Sequence, residues 1–132
     1  MAFAMIHEPQ ITPLGAGADL TAGKYLIVKA GTVDGTVVVA TATSERLIGV
    51  LQTNAATSAT DGTESVEVCT GGVCLVRAGG TVTRGLAQMF STGSKVEDAG
   101  TNVNTIGIAQ QSGVSGDLVS ILVTPGGTTG TG

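Results

Sequence analysis

The sequence predicts an all-β protein, a compact antiparallel barrel or sandwich of short strands. Three observations lead there. Short β-branched runs alternate with Gly-containing turns along most of the chain. The Ala–Glu–Lys–Leu mixtures that favour helix are scarce. And one phrase, apolar–Gly–apolar with a closing Gln, occurs twice, as LIGVLQ at 47–52 and TIGIAQ at 105–110.

Taken in order, KYLIVKA (24–30) reads as a strand, and GTVDG (31–35) ends in the Asp-Gly pair favoured in tight turns. TVVVATA (36–42) returns, RLIGVLQ (46–52) follows, and residues 53–62 form a polar loop. ESVEVCT (64–70) and VCLVRA (73–78) read as a hairpin turning at Gly71-Gly72. LAQMFS (86–91), a weak SKVED (94–98), NTIGIAQ (104–110) and DLVSILV (117–123) repeat the rhythm. Helix is expected only as a turn or two, near 40–46 or 55–59.

The two halves align at about 19–72 and 80–124, with Gly23 against Gly85, Gly31 against Gly93 and Gly49 against Gly107. Two repeats are too few for a solenoid. They suit one barrel domain over 19–124 with pseudo-two-fold symmetry, an extended arm over 1–18, and a flexible Gly/Thr-rich tail over 125–132. Glycine inside a strand weakens it and marks a bulge or a close backbone approach. Gly49 and Gly107 are therefore expected where the two halves cross, with Ile48 and Val50, and likewise Ile106 and Ile108, on one face.

Composition narrows the function. A chain of 132 residues buries roughly two thirds of its unfolded surface and needs no metal or disulfide to fold. Only Phe3, Tyr25 and Phe90 are aromatic, so stacking platforms for sugars or single strands are missing. The net charge is −4 and the six basic residues are scattered, which argues against nucleic acid. No run approaches a membrane span, and the opening MAFAMI lacks the basic leader of a secretion signal. Synthesis in a cytoplasm is the expectation.

No catalytic constellation is found, and no cofactor or metal site is expected. His7 is the single histidine and has no motif partner that would make it a base. Cys69 and Cys74 flank the Gly71-Gly72 turn, opposite one another in the hairpin reading and close enough for a disulfide. Cytoplasmic synthesis favours two free thiols. Zinc would need further ligands that two Cys and a distant His do not supply. In the arm, Phe3, Met5, Ile6 and Ile11 are too apolar for a free polar tail, while Pro9 and Pro13 oppose a central strand or helix. Such an arm, with His7 and Pro13 in it, is expected to dock on a partner's sheet edge or groove, or to fold back over its own barrel.

These features together resemble the bacteriophage capsid decoration (cement) proteins. The resemblance is carried by DLTAGKYLIVKAG (19–31), RLIGVLQTNAA (46–56), GGVCLVRAGGTVTRG (71–85), TIGIAQQSG (105–113) and GDLVSILVTPGG (116–127), five blocks in one order. The loop 53–62 and the cysteine pair lie outside the family pattern. The resemblance implies a non-enzymatic virion protein on the outer surface of an icosahedral head. It would be most often a trimer, with a dimer as the other option, and its partner would be the major capsid protein. A host-glycan adhesion module of the virion surface or fibre base is the alternative.

Overall fold

The structure is a computed structural model describing residues 9–101 and 103–128. Among these residues there is no helix, neither at 40–46 nor at 55–59; nine strands carry the fold. They are β1 (Gln10–Ala16), β2 (Ile27–Ala30), β3 (Thr36–Val39), β4 (Leu47–Leu51), β5 (Ser65–Arg77), β6 (Ala87–Ser91), β7 (Lys95–Asp98), β8 (Asn104–Ala109) and β9 (Leu118–Thr128).

The strands lie in the order β1-β3-β2-β4-β5-β9-β8-β6-β7, and a further β1–β5 pairing closes the first five into a barrel. The second half copies that order. β3-β2-β4-β5 is matched by β7-β6-β8-β9, and the distal half of β5 takes the place of β1. Ala16 pairs in parallel with Val37 of β3, and Ala78, just past β5, pairs in parallel with Val96 of β7. The next residues bond alike, Gly17 N–H to the Val37 carbonyl at 2.9 Å and Gly79 N–H to the Val96 carbonyl at 2.8 Å. The repeat therefore builds two five-stranded circuits that share one long strand, where the sequence suggested two halves of a single barrel.

The hairpin at Gly71-Gly72 is not formed. Residues 65–69 and 71 pair with β1, 68 and 69 also with β4, and residues 72–77 pair with β9, so β5 crosses from one barrel to the other without reversing. A strand that changes sheets must bend. Gly72 supplies the bend with a φ of 75°, a left-handed conformation open to glycine. Cys69 and Cys74, on the two limbs, have Cα atoms 6.6 Å apart. Five extended residues would span about 17 Å.

The arm and tail boundaries also move. β1 begins at Gln10 and lies in the wall of the first barrel, with Ala16 fully buried and Leu14 packed on the core. Proline opposes a central strand, and the register of β1 shows how this one is accommodated. Pro13 faces Glu67, whose N–H and C=O both turn toward the β4 side, to Thr53 and Gln52. Pro13 is thus at a non-hydrogen-bonded position, where its missing N–H costs no ladder bond. At the other end β9 runs on to Thr128, paired with Asn104, so residues 125–128 are strand and not tail.

Each barrel has its own interior. Leu20, Val28, Val37, Leu51, Val66 and Val68 fill the first. Val82, Gln88, Val96, Ala109, Val119 and Ile121 are their register equivalents in the second. Gln88 is the outlier, a fully buried amide where the first barrel has Val28. Its Nε2 donates to the Leu86 carbonyl at 3.1 Å and to Asp98 Oδ1 at 2.9 Å, while its Oε1 has no partner. Burial raises the Asp98 pKa, but the Thr83 hydroxyl, the Gln88 amide and the Thr83 N–H outweigh it and leave the group below its ordinary value.

Candidate interaction surface

The repeated glycines sit beside a repeated bulge. Val28 faces Gly49 and Lys29 faces Leu47, which leaves Ile48 as the extra residue; Gln88 faces Gly107 and Met89 faces Thr105, which leaves Ile106. The bulge shifts the alternation of side chains. Ile48 packs against the first interior while Val50 belongs to the other core, and Ile106 is buried while Ile108 is exposed, so neither pair shares a face. A Cβ on Gly49 would overlap the Cys69 carbonyl oxygen, and one on Gly107 the Leu122 carbonyl oxygen. The close approach is real but lies within each barrel, against the next strand, and not between the halves. Another glycine match shifts as well. Tyr25, with φ 71°, is the equivalent of Gly85, with φ 89°, because Tyr25 N–H bonds the Leu51 carbonyl as Gly85 N–H bonds that of Ala109.

The two barrels meet at a seam. One row across the outer face of the first barrel, Ile27–Val50–Cys69, is fully buried and joins the larger core, with Ile106 and Val123 of the second barrel. Main-chain groups lock the seam: Ile27 N–H bonds the Ser94 carbonyl at 2.8 Å, and Arg77 N–H bonds the Tyr25 carbonyl at 2.9 Å. Gln52, the closing residue of the first repeated phrase, donates to the Leu75 carbonyl at 3.2 Å. Asn104 donates to the carbonyls of Ser44 at 3.0 Å and Glu45 at 2.8 Å.

Glu45 shapes the turn that Asn104 holds. Its carboxylate pairs with Lys29 and accepts the N–H groups of Thr41 at 2.6 Å and Ala42 at 2.9 Å. The Lys29 ammonium, with these N–H groups, lowers its pKa from 4.5 to about 2. A depressed folded-state pKa means that the contribution is complete above about pH 4.5 and is lost as pH falls toward 2. Glu45→Gln should therefore melt lower than wild type at pH 7 and show a flatter loss of stability across that acid window. Parallel melts from pH 7 to pH 2 check this. Equal acid slopes for the two proteins would show that the pair contributes nothing.

Cys69 and Cys74 are bonded, which overturns the expectation of two free thiols. The reason is the bent strand: the two limbs bring the sulfurs together at the barrel junction, a geometry unrelated to the hairpin. Thiol titration of denatured, unreduced protein should count no free thiol, and reduction should expose two. A loop this short constrains the unfolded chain modestly, so reduction should cost about 2 kcal/mol in a melt. Two thiols without reductant would remove the staple.

Of the proposed contact residues, Ile11 and Pro13 lie in β1, with Ile11 exposed. Phe3, Met5, Ile6 and His7 lie outside the described residues. Among the described residues no three His, Cys, Asp or Glu side chains cluster to hold a metal, and there is no cavity. Among the described residues no helix is long and apolar enough to cross a membrane. What the sequence did not reveal is the outer face of the second barrel. Its row Ala87–Ile108–Leu122–Val73 is the register equivalent of Ile27–Val50–Cys69–Ile11. Here the row is open: Ile108 is 40% exposed, with Leu75 and Leu118 exposed beside it. Only the repeat could have found it, by asking what covers each copy of one face. No family model matches the chain, and no curated protein is similar to it in sequence.

Proposed function

We propose that the protein is a structural virion component that binds the outside of a phage icosahedral head and cements neighbouring major capsid subunits. Support comes from the five ordered blocks, which resemble the pattern of decoration proteins. The observation that carries the reading is the barrel duplication: two closed β-units, fixed to each other through main-chain hydrogen bonds, with an apolar row covered on one and open on the other. A unit of this kind holds two outward surfaces at a fixed separation, as a clamp between shell subunits requires. On this reading the protein works as an oligomer, a trimer in preference to a dimer, with no cofactor and no nucleic acid or membrane partner.

Co-sedimentation of the purified chain with expanded heads that lack it, followed by cryo-EM of the pellet, tests the proposal. Ordered density over capsid subunit boundaries is expected. Heads that pellet bare, together with binding to host glycans, would replace it with the adhesion reading.

A further inference from the structure

The internal duplication shows how one barrel covers another, and only half of the available surface is used. In the seam the first barrel offers its outer row and the Gln52 amide. The second offers the outer edge of residues 72–77, with the Leu75 carbonyl, and the turn carrying Ser94. The register places an equivalent of each element at the far ends of the molecule. The second barrel presents Ile108 in the open row and, as the equivalent of Gln52, Gln110, whose amide reaches only its own strand's Ile108 carbonyl at 3.4 Å. The first barrel presents the outer edge of β1, where Pro13 occupies the position of Leu75 with its carbonyl turned away from β5. It also presents the turn 31–35, counterpart of the Ser94 turn, where Val33 is 58% exposed.

We infer that the open face of the second barrel docks the β1 edge and the 31–35 turn of a second copy of this chain, repeating the intramolecular seam between molecules. The occupant is a second copy because the same face, one barrel earlier, is already covered by a barrel of this fold, and every copy carries the matching edge. The contact is heterologous, head to tail, so it builds a closed ring or an open chain and not a two-fold dimer. The Gln110 amide donates to the Pro13 carbonyl of the neighbour as Gln52 does to Leu75. The second LIGVLQ-type phrase thus serves between molecules the contact that the first serves within one.

This inference rests on the oligomeric part of the proposed function, and its test contains no heads, so the failure of either is distinguishable from failure of the other. Light scattering on the eluting full-length chain should show wild type associated, with Ile108→Asp and Val33→Asp each monomeric and melting like wild type. An equal mixture of the two variants should form dimers and nothing larger, since one intact face meets one intact turn. A monomeric wild type, an Ile108→Asp chain that still associates, or a mixture without dimers would each overturn the proposal. Should an aspartate variant fail to fold, the double variant Gln110→Cys/Pro13→Cys decides: oxidation should link separate copies into a ladder. Absence of intermolecular linkage would overturn the proposal as well.

Discussion

Gly107→Val should remove much of the stability of the protein, and Gly49→Val should do nearly the same. An added Cβ at Gly107 meets the Leu122 carbonyl oxygen, its carbon and the Val123 Cα, all backbone. At Gly49 it meets the Cys69 carbonyl and the Val68 side chain. A flexible side chain can swing away from such a contact, but a strand held in a closed barrel can do so only by breaking ladder bonds. Overpacking of a well-packed interior usually costs 1–3 kcal/mol, and a collision with main chain belongs at or above about 3 kcal/mol. For a domain of this size that is roughly 10 °C in a melt. Gly100→Val is the control, since nothing lies within 4 Å of a Cβ there and φ is not positive. It should stay within about 0.5 kcal/mol of wild type. Glycine-to-valine melts at 49 and 107 no lower than at 100 would mean that the barrel wall yields, and would withdraw the close-approach argument.

The features legible in the sequence were those set by local pattern. Strands such as Leu47–Leu51 and Asn104–Ala109 are found where β-branched runs and turn residues placed them, and Ala87–Ser91 where the repeat rhythm did. The glycines of the repeated phrase mark close approaches because few residues other than glycine survive there. What pattern could not show was partner choice. Gly71-Gly72 looks alike in a hairpin turn and in a strand corner, because both need a left-handed residue; which forms is decided by what each limb pairs with, far away in sequence. The bulge at Ile48 and Ile106 was similarly hidden, since one extra residue reverses every inward–outward assignment beyond it. As for the candidate surface, nothing in the local pattern sets Ile108 or Leu75 apart from the apolar residues around them. Only the comparison of two folded copies shows that one row is covered and its twin is not.

The first barrel begins earlier in the chain than the repeat implies. A repeat that begins at Asp19 implies that residues 2–13 can be deleted without harm to the barrel. The structure implies the reverse. Residues 11–13 pair with 67–69 of β5, and the strand goes on to close the barrel against β3. Deleting 2–13 would leave β5 without its partners from Glu67 to Gly71, beside the fully buried Val68, and would reduce the closing strand to Leu14–Ala16. Each lost ladder bond costs about 1 kcal/mol, and exposed apolar area adds to it. Against the 5–15 kcal/mol of total stability common to single domains, that is enough to abolish a cooperative melt near room temperature. Deleting only 2–8 stops short of β1 and should leave the melt within a few degrees of wild type. Circular-dichroism melts of the two truncations, read against full-length protein, test the assignment. If both melt alike, β1 does not hold the barrel closed. If only the shorter deletion folds, its occupancy on heads measures what residues 2–8 contribute to binding, free of any effect on the barrel.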